Sequence, residues 1–167
     1  MNSLEIRNGI NHLIDCDPVL KRIISQSPVC TIKCHKKYYP AVVRSIIGQQ
    51  LSIKAAASIY KKFSTRFGKQ PKPKSVSAAS VEELRSFGLS NAKARYVKDL
   101  SEKILSNELS FKNISKKSND EIINDLTKVK GIGVWTAHMF LIFTLGRLDV
   151  LPVGDLGIKN AIKKNYR

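Results

Sequence analysis

Apolar residues along this chain recur at helical rather than alternating spacing, with polar breakers between the runs. "DPVLKRIIS" sets Asp17 as an N-cap and Pro18 at the first helical position, where a missing N–H has no consequence. "YYPAVVRSIIGQQ" is a second apolar helix and leads into "SIKAAASIYKKFSTRF". There Ile53, Ala56, Ala57 and Tyr60 share one face, which Phe63 and Phe67 extend. "GKQPKPKS" lacks periodicity and is expected as an exposed connector. "SVEELRSFG" opens with a capping box, Ser80 with Glu83, and stops at Gly88; "SNDEIINDL" repeats the device with Ser118 and Glu121. "SNAKARYVKDLSEKIL" carries Val97, Leu100 and Ile104 at helical spacing. "VWTAHMFLIFTL" is apolar almost all round, which predicts a central buried helix closed by Gly146. The strand-like piece "LDVLPV" contains Pro152 and reads as a short extended connector. The fold class is all-α.

Charge changes the picture from fold to partner. Lys and Arg number 29 against 13 Asp and Glu, a net charge of +16 on 167 residues. That balance favours a polyanion, with nucleic acid first. No basic amphipathic helix stands apart to suggest a membrane surface, and no apolar run is long enough to span a bilayer. The start "MNSLEIRNGINHL" has no signal-peptide core, so the expectation is an intracellular protein located with the DNA. Cys16, Cys30 and Cys34 are an odd set that argues against a disulfide framework. The C-x3-C-H spacing of Cys30, Cys34 and His35 is poor for zinc, and the four thiolates of an iron–sulfur cluster are absent.

The stretch "LTKVKGIGVWTAHMF" places two glycines, Gly131 and Gly133, around one isoleucine between two helical patterns. A helix-hairpin-helix of this kind presents turn N–H groups and the positive end of the second helix, which together make an anion site. Lys128 and Lys130 flank it. A plain helical hairpin whose glycines only turn the chain is the alternative. A dinucleotide-binding loop is excluded, since no strand precedes the glycines and the third glycine is missing.

With its neighbours the stretch resembles a known family. "LTKVKGIGVWTAHMFLIFTLGRLDVLPVGDLGIKNA" is similar to the helix-hairpin-helix, Gly/Pro-rich loop and aspartate of the helix-hairpin-helix DNA glycosylase superfamily. "RSIIGQQLSIKAA", "GLSNAKARYVKDL" and "DVLPVGDLGIKNA" most resemble its alkylation-repair branch, the 3-methyladenine DNA glycosylase II type. The likeness runs from about Tyr39 almost to the end. It implies two helical lobes with a cleft between them, one of roughly 1–38 plus 147–167 and the other of roughly 39–146, with the hairpin at 127–133. It also implies a monomer that hydrolyses the N-glycosidic bond of alkylated bases in double-stranded DNA, initiating base excision repair.

The same resemblance assigns residues. Asp155 takes the place of the family's aspartate, where a fixed carboxylate stabilises an oxocarbenium-like sugar and orients water. On sequence alone Asp155 is equally an N-cap of "LGIKNAIKKN", and a helix N-terminus keeps a carboxylate ionised. Asp149, before the loop, reads as structural. Bifunctional relatives carry a lysine two positions after the second glycine; Trp135 stands there and cannot form an imine, which implies a monofunctional hydrolase. The indole of Trp135 would attract a cationic base by about 1–2 kcal/mol, or else is a core tryptophan, and Met139 would line the base pocket. Base flipping requires a filler for the gap. The turn "GQQLS" supplies Gln49 and Gln50, with Gln50 favoured as the inserted residue or, alternatively, a solvated glutamine. Thr136, Ser90 and Lys93 join the DNA-contacting set. The hairpin carbonyls of Thr127, Val129 and Ile132 match a site for Na+ or K+; no cofactor is implied for catalysis.

Two departures stand beside the likeness. The N-terminal β-rich domain of a well-known bacterial relative has no counterpart in the residues before the first motif. The sequence ends at "NAIKKNYR", where many relatives continue with further helices, so the chain is either a minimal form or one lacking closing helices. A non-catalytic helix-hairpin-helix DNA-binding protein and a glycosylase for another lesion are the rival functions.

Overall fold

The computed structural model describes residues 3–32 and 34–166. Ten α-helices follow in chain order among these residues: α1 Ser3–Cys16, α2 Pro18–Ser25, α3 Tyr38–Gly48, α4 Ile53–Phe67, α5 Pro73–Ala78, α6 Val81–Ser86, α7 Asn91–Leu105, α8 Asn119–Thr127, α9 Val134–Phe140 and α10 Leu156–Asn165. A 3₁₀ turn, Ile114–Lys116, precedes α8, and α9 runs on into a π-helical turn, Leu141–Leu145. No strand occurs among the described residues, so the all-α expectation holds.

The core is built on α3. Tyr39, Val42, Val43, Ile46 and Ile47 are buried there, and α4, α7 and α9 pack around it. The Tyr39 hydroxyl and Ser101 Oγ share a hydrogen bond of 2.8 Å that ties α3 to α7 inside the core. Burial pushes the Tyr39 phenol well above its ordinary pKa, so it stays neutral and can donate.

Several local signals read as expected. Asp17 caps α2 by accepting the Val19 and Leu20 N–H groups at 2.8 and 3.0 Å. Ser118 and Glu121 complete a capping box at α8. The box at α6 is only half formed: Ser80 accepts the Glu83 N–H at 3.0 Å, but the Glu83 carboxylate turns to Arg66 at 2.7 Å. A charged partner outcompetes a backbone N–H for that carboxylate.

Three further expectations are corrected. "VWTAHMFLIFTL" is not buried all round: Thr136, Ala137, Phe140, Leu141 and Thr144 face the core, while Val134, Trp135 and Phe143 are about half exposed. The helix lies at a pocket rather than at the centre of the core. On α4 the inner face is Ile59, Tyr60, Phe63 and Phe67, while Ile53 is 90% exposed. Ala56, one turn on, lies beside Gly48 at the end of α3, so the start of α4 packs through its alanine and leaves Ile53 outward. The segment "GKQPKPKS" is not wholly an exposed connector, since Pro71 is buried and Pro73 opens α5. Lys98 Nζ donates to the Ser77 and Ala79 carbonyls, both at 2.6 Å, closing the end of that helix.

The C-terminal helix α10 has no buried residue. It returns to α2, where Arg22 Nη2 donates to Asn165 Oδ1 at 3.1 Å and the Tyr166 hydroxyl donates to Asp17 Oδ2 at 2.6 Å. Its other end is held at Asp155.

Candidate active site

The hairpin joins α8 to α9. Val129 and Ile132 are buried and anchor the turn, whose N–H groups at these two residues donate to Leu126 O and Val129 O, each at 3.1 Å. The two glycines have different reasons. Gly131 has φ +79, and a Cβ there would lie 2.1 Å from the Tyr96 ring, so both backbone and packing demand glycine. Gly133 is the N-cap of α9 with φ −98, and nothing lies within 4 Å of an added Cβ. The space over Gly133 is open.

Charge around the turn is partly committed. Lys128 Nζ donates to Asp125 at 2.7 Å, while the backbone N–H of Lys130 donates to Asp99 at 2.9 Å and its side chain is exposed. Thr136, expected at the DNA, is buried on α9. Ser90 caps α7, accepting the Lys93 N–H at 3.3 Å.

The turn between α3 and α4 meets the hairpin directly. Gln49 Nε2 donates to the Gly131 carbonyl at 2.8 Å. Gln50 lies in the left-handed region at φ +56 with its side chain exposed. Lys93 Nζ donates to Ile47 O at 2.9 Å and to Gln49 O at 2.5 Å.

Asp155 caps α10, as one of its two sequence readings required, with Oδ1 accepting the Ile158 N–H at 3.0 Å. Its other oxygen accepts a 2.8 Å hydrogen bond from Trp135 Nε1–H. The Trp135 N–H, then the Ile158 and Gly157 N–H groups, hold the carboxyl below the ordinary aspartate value against some desolvation. A Cβ on Gly157 would sit 3.0 Å from Asp155 Oδ1, so a bare residue suits the close approach of that turn. The competitor Asp149 instead accepts the Asn119 Nδ2–H at 3.0 Å, tying the loop to α8.

A pocket of about 260 Å³ opens between α3 and α9. Thr136, Met139 and Phe143 line one side and Ala41, Arg44 and Ser45 the other. Met139 thus lines a pocket, whereas Trp135 and Asp155 lie outside its lining. Sequence reasoning missed Arg44 and Ser45, although a polar pair interrupting the apolar run of α3 was a visible signal. Arg44 lies over the Tyr60 ring, 5.3 Å from its centroid. Among the described residues no group of three His, Cys, Asp or Glu side chains could hold a metal ion, and no helix is long and apolar enough to cross a membrane.

Comparison with known proteins places this geometry. Residues 43–167 match the HhH-GPD superfamily of base excision DNA repair proteins. Alkylbase DNA glycosidase-like protein mag2 of Schizosaccharomyces pombe is 34% identical over 168 residues, covering 97% of this chain and 79% of that one. Putative DNA-3-methyladenine glycosylase YfjP of Bacillus subtilis is 30% identical, covering 96% of this chain but only 59% of the relative's length. The S. pombe 3-methyladenine DNA glycosylase solved in complex with abasic DNA superposes with a TM-score of 0.82 at 33% identity, covering 96% of this chain and 81% of that one. The chain belongs to the HhH-GPD superfamily of base excision DNA repair proteins, on its alkylation-repair branch.

Proposed function

We propose that this chain is a monofunctional DNA glycosylase that hydrolyses the N-glycosidic bond of alkylated, 3-methyladenine-type bases flipped out of duplex DNA. One observation carries the reading: an aspartate kept ionised and oriented by an indole N–H, at the place the family gives its aspartate. The relatives named for this activity support the substrate class.

In the reaction the C1′–N bond breaks and its electron pair leaves with the base, neutralising a ring that alkylation had made cationic. No strong general acid is then required. The Asp155 carboxylate faces the developing positive charge on the sugar, where a fixed charge is most effective. Water adds to C1′ and gives up a proton, toward Asp155 or solvent. With Trp135 where a Schiff-base lysine would stand, that position offers no amine to trap the sugar.

The division into lobes, 1–38 with 147–167 against 39–146, is supported by the contacts of α10 with α2. A monomer on DNA then needs three elements. The open face of Gly133, with Lys130 beside it, receives a phosphate; Gln50 fills the gap left by the flipped nucleotide; Trp135 and Met139 meet the base. The carbonyls of Thr127, at the negative end of α8, and of Val129 and Ile132 in the turn are hard oxygen donors that suit Na+ or K+, which would fix the turn without taking part in the chemistry. Incubating the purified chain with methylated duplex and chromatographing the supernatant tests the proposal. Free 3-methyladenine is expected. Retention of all methylated bases in the duplex contradicts it, and a panel of single-lesion duplexes separates an alkylation enzyme from one for another lesion.

A further inference from the structure

Lys93 presents an inconsistency with a role at the phosphates. Its side chain points inward from α7, and its ammonium is taken up by the Ile47 and Gln49 carbonyls. These oxygens stand at the end of α3, where a helix leaves carbonyls unpaired and a cation is favoured. Burial holds the ammonium below the ordinary lysine pKa, as for a group drawn away from water.

The turn it holds needs holding. Gln50 sits at φ +56, the left-handed region, where a Cβ is crowded by the following carbonyl oxygen. Within the turn the Leu51 N–H donates to Gly48 O at 3.2 Å, a long bond for fixing such a conformation. Further along α7, the Tyr96 ring packs under Gly131 and Asp99 accepts the Lys130 N–H at 2.9 Å. Lys93, Tyr96 and Asp99 follow at successive turns of one helix, so α7 braces both DNA-facing turns. Gln49 closes the bracket from the other side through Gly131 O.

We propose that Lys93 is a positioning residue that locks the Gly48–Ser52 turn in the shape that projects Gln50 and sets its register against the hairpin. It does not neutralise a phosphate. This rests on the reading of Gln50 as the gap-filling residue.

The test uses the full chain and a duplex carrying 2-aminopurine beside a lesion analogue, so that fluorescence reports unstacking. Lys93→Met keeps the length of the stem and removes the ammonium. The expected result is a flipping signal reduced several-fold while affinity for undamaged duplex falls with salt along the wild-type slope. In a Gln50→Ala background Lys93→Met should add no further loss, since residues acting as one unit are non-additive. A salt slope shallower by about one unit, the signature of one lost phosphate contact, overturns the proposal. So does an additive loss in the double variant. Wild-type flipping by Lys93→Met, with Gln50→Ala impaired, overturns it alone; wild-type flipping by Gln50→Ala removes the wedge reading and this inference together. Thermal melting runs in parallel, and if Lys93→Met melts below the assay temperature, Lys93→Gln, which keeps one donor group, carries the same comparison.

Discussion

Trp135 and Asp155 are joined by a 2.8 Å hydrogen bond from the indole N–H to a carboxylate oxygen, across 20 residues of sequence. The bond gives the tryptophan a use beyond its ring face. It orients the carboxylate whose other oxygen caps α10, helps keep the group ionised, and attaches the otherwise unburied start of α10 to the hairpin helix.

Trp135→Phe separates the two uses, because phenylalanine keeps an aromatic face and loses the N–H. Excision should slow by roughly 10- to 100-fold, the scale on which misplacing a reacting group by about an ångström acts. The acid limb of the pH–rate profile should also move to higher pH. The sign follows from the geometry: the bond lowers the Asp155 pKa, so its loss raises it, and the ionised form then disappears at a less acid pH. A rate loss with an unmoved acid limb would restrict Trp135 to stacking.

The hairpin glycines should respond differently. Gly131→Ala must displace the Tyr96 ring and hold alanine at φ +79, so thermal stability should fall, by roughly 1–3 kcal/mol for a residue forced into such a conformation. Gly133→Ala meets open space at an ordinary φ and should fold as well as wild type. Replacing Gly133 by leucine should then weaken binding to damaged and undamaged duplex alike, since phosphate contacts position without specifying. Melting curves and fluorescence anisotropy on the three proteins check this. A Gly133→Leu defect confined to lesion-containing DNA would contradict the backbone-anchor role.

How far the sequence carried this far was decided by locality. Caps at Asp17, Ser80, Ser118 and Asp155 were readable because cap and helix lie within a few residues. The hairpin was readable as a motif, but the reason for Gly131 was not, because Tyr96 lies 35 positions away and only tertiary packing brings it beneath the turn. The same holds for Lys93, whose carbonyl partners at the end of α3 lie 46 and 44 positions away in sequence. Helical periodicity placed α4 and α9 yet misjudged Ile53 and Trp135, since a pattern marks which residues share a face and not whether a neighbour covers it.

Acid should loosen α10 before the core. Asp17 is lowered below its ordinary 3.8 mainly by the Tyr166 hydroxyl, and Asp155 is lowered mainly by Trp135. A carboxylate with a depressed folded-state pKa contributes stability above its unfolded value and loses it as pH falls through the folded one. Amide exchange of α10 should therefore accelerate below about pH 4, the unfolded aspartate range, while α3 and α7 remain protected. Protection of α10 that persists at pH 2 in step with α3 would contradict the tether.

The central claim rests on the charge of Asp155, and Asp155→Asn tests it most directly. Asparagine is as good an N-cap as aspartate, so the α10 terminus and the fold should survive, as circular dichroism would verify. On the proposed mechanism the substitution removes the negative charge that would face the cationic sugar, and losing one such preorganised group costs roughly 100- to 1000-fold in turnover. Excision of a methylated purine should fall by at least that factor while affinity for an abasic-site analogue stays at or slightly above wild type, because a carboxylate near phosphates repels them. A folded Asp155→Asn protein that excises at the wild-type rate would contradict the catalytic assignment.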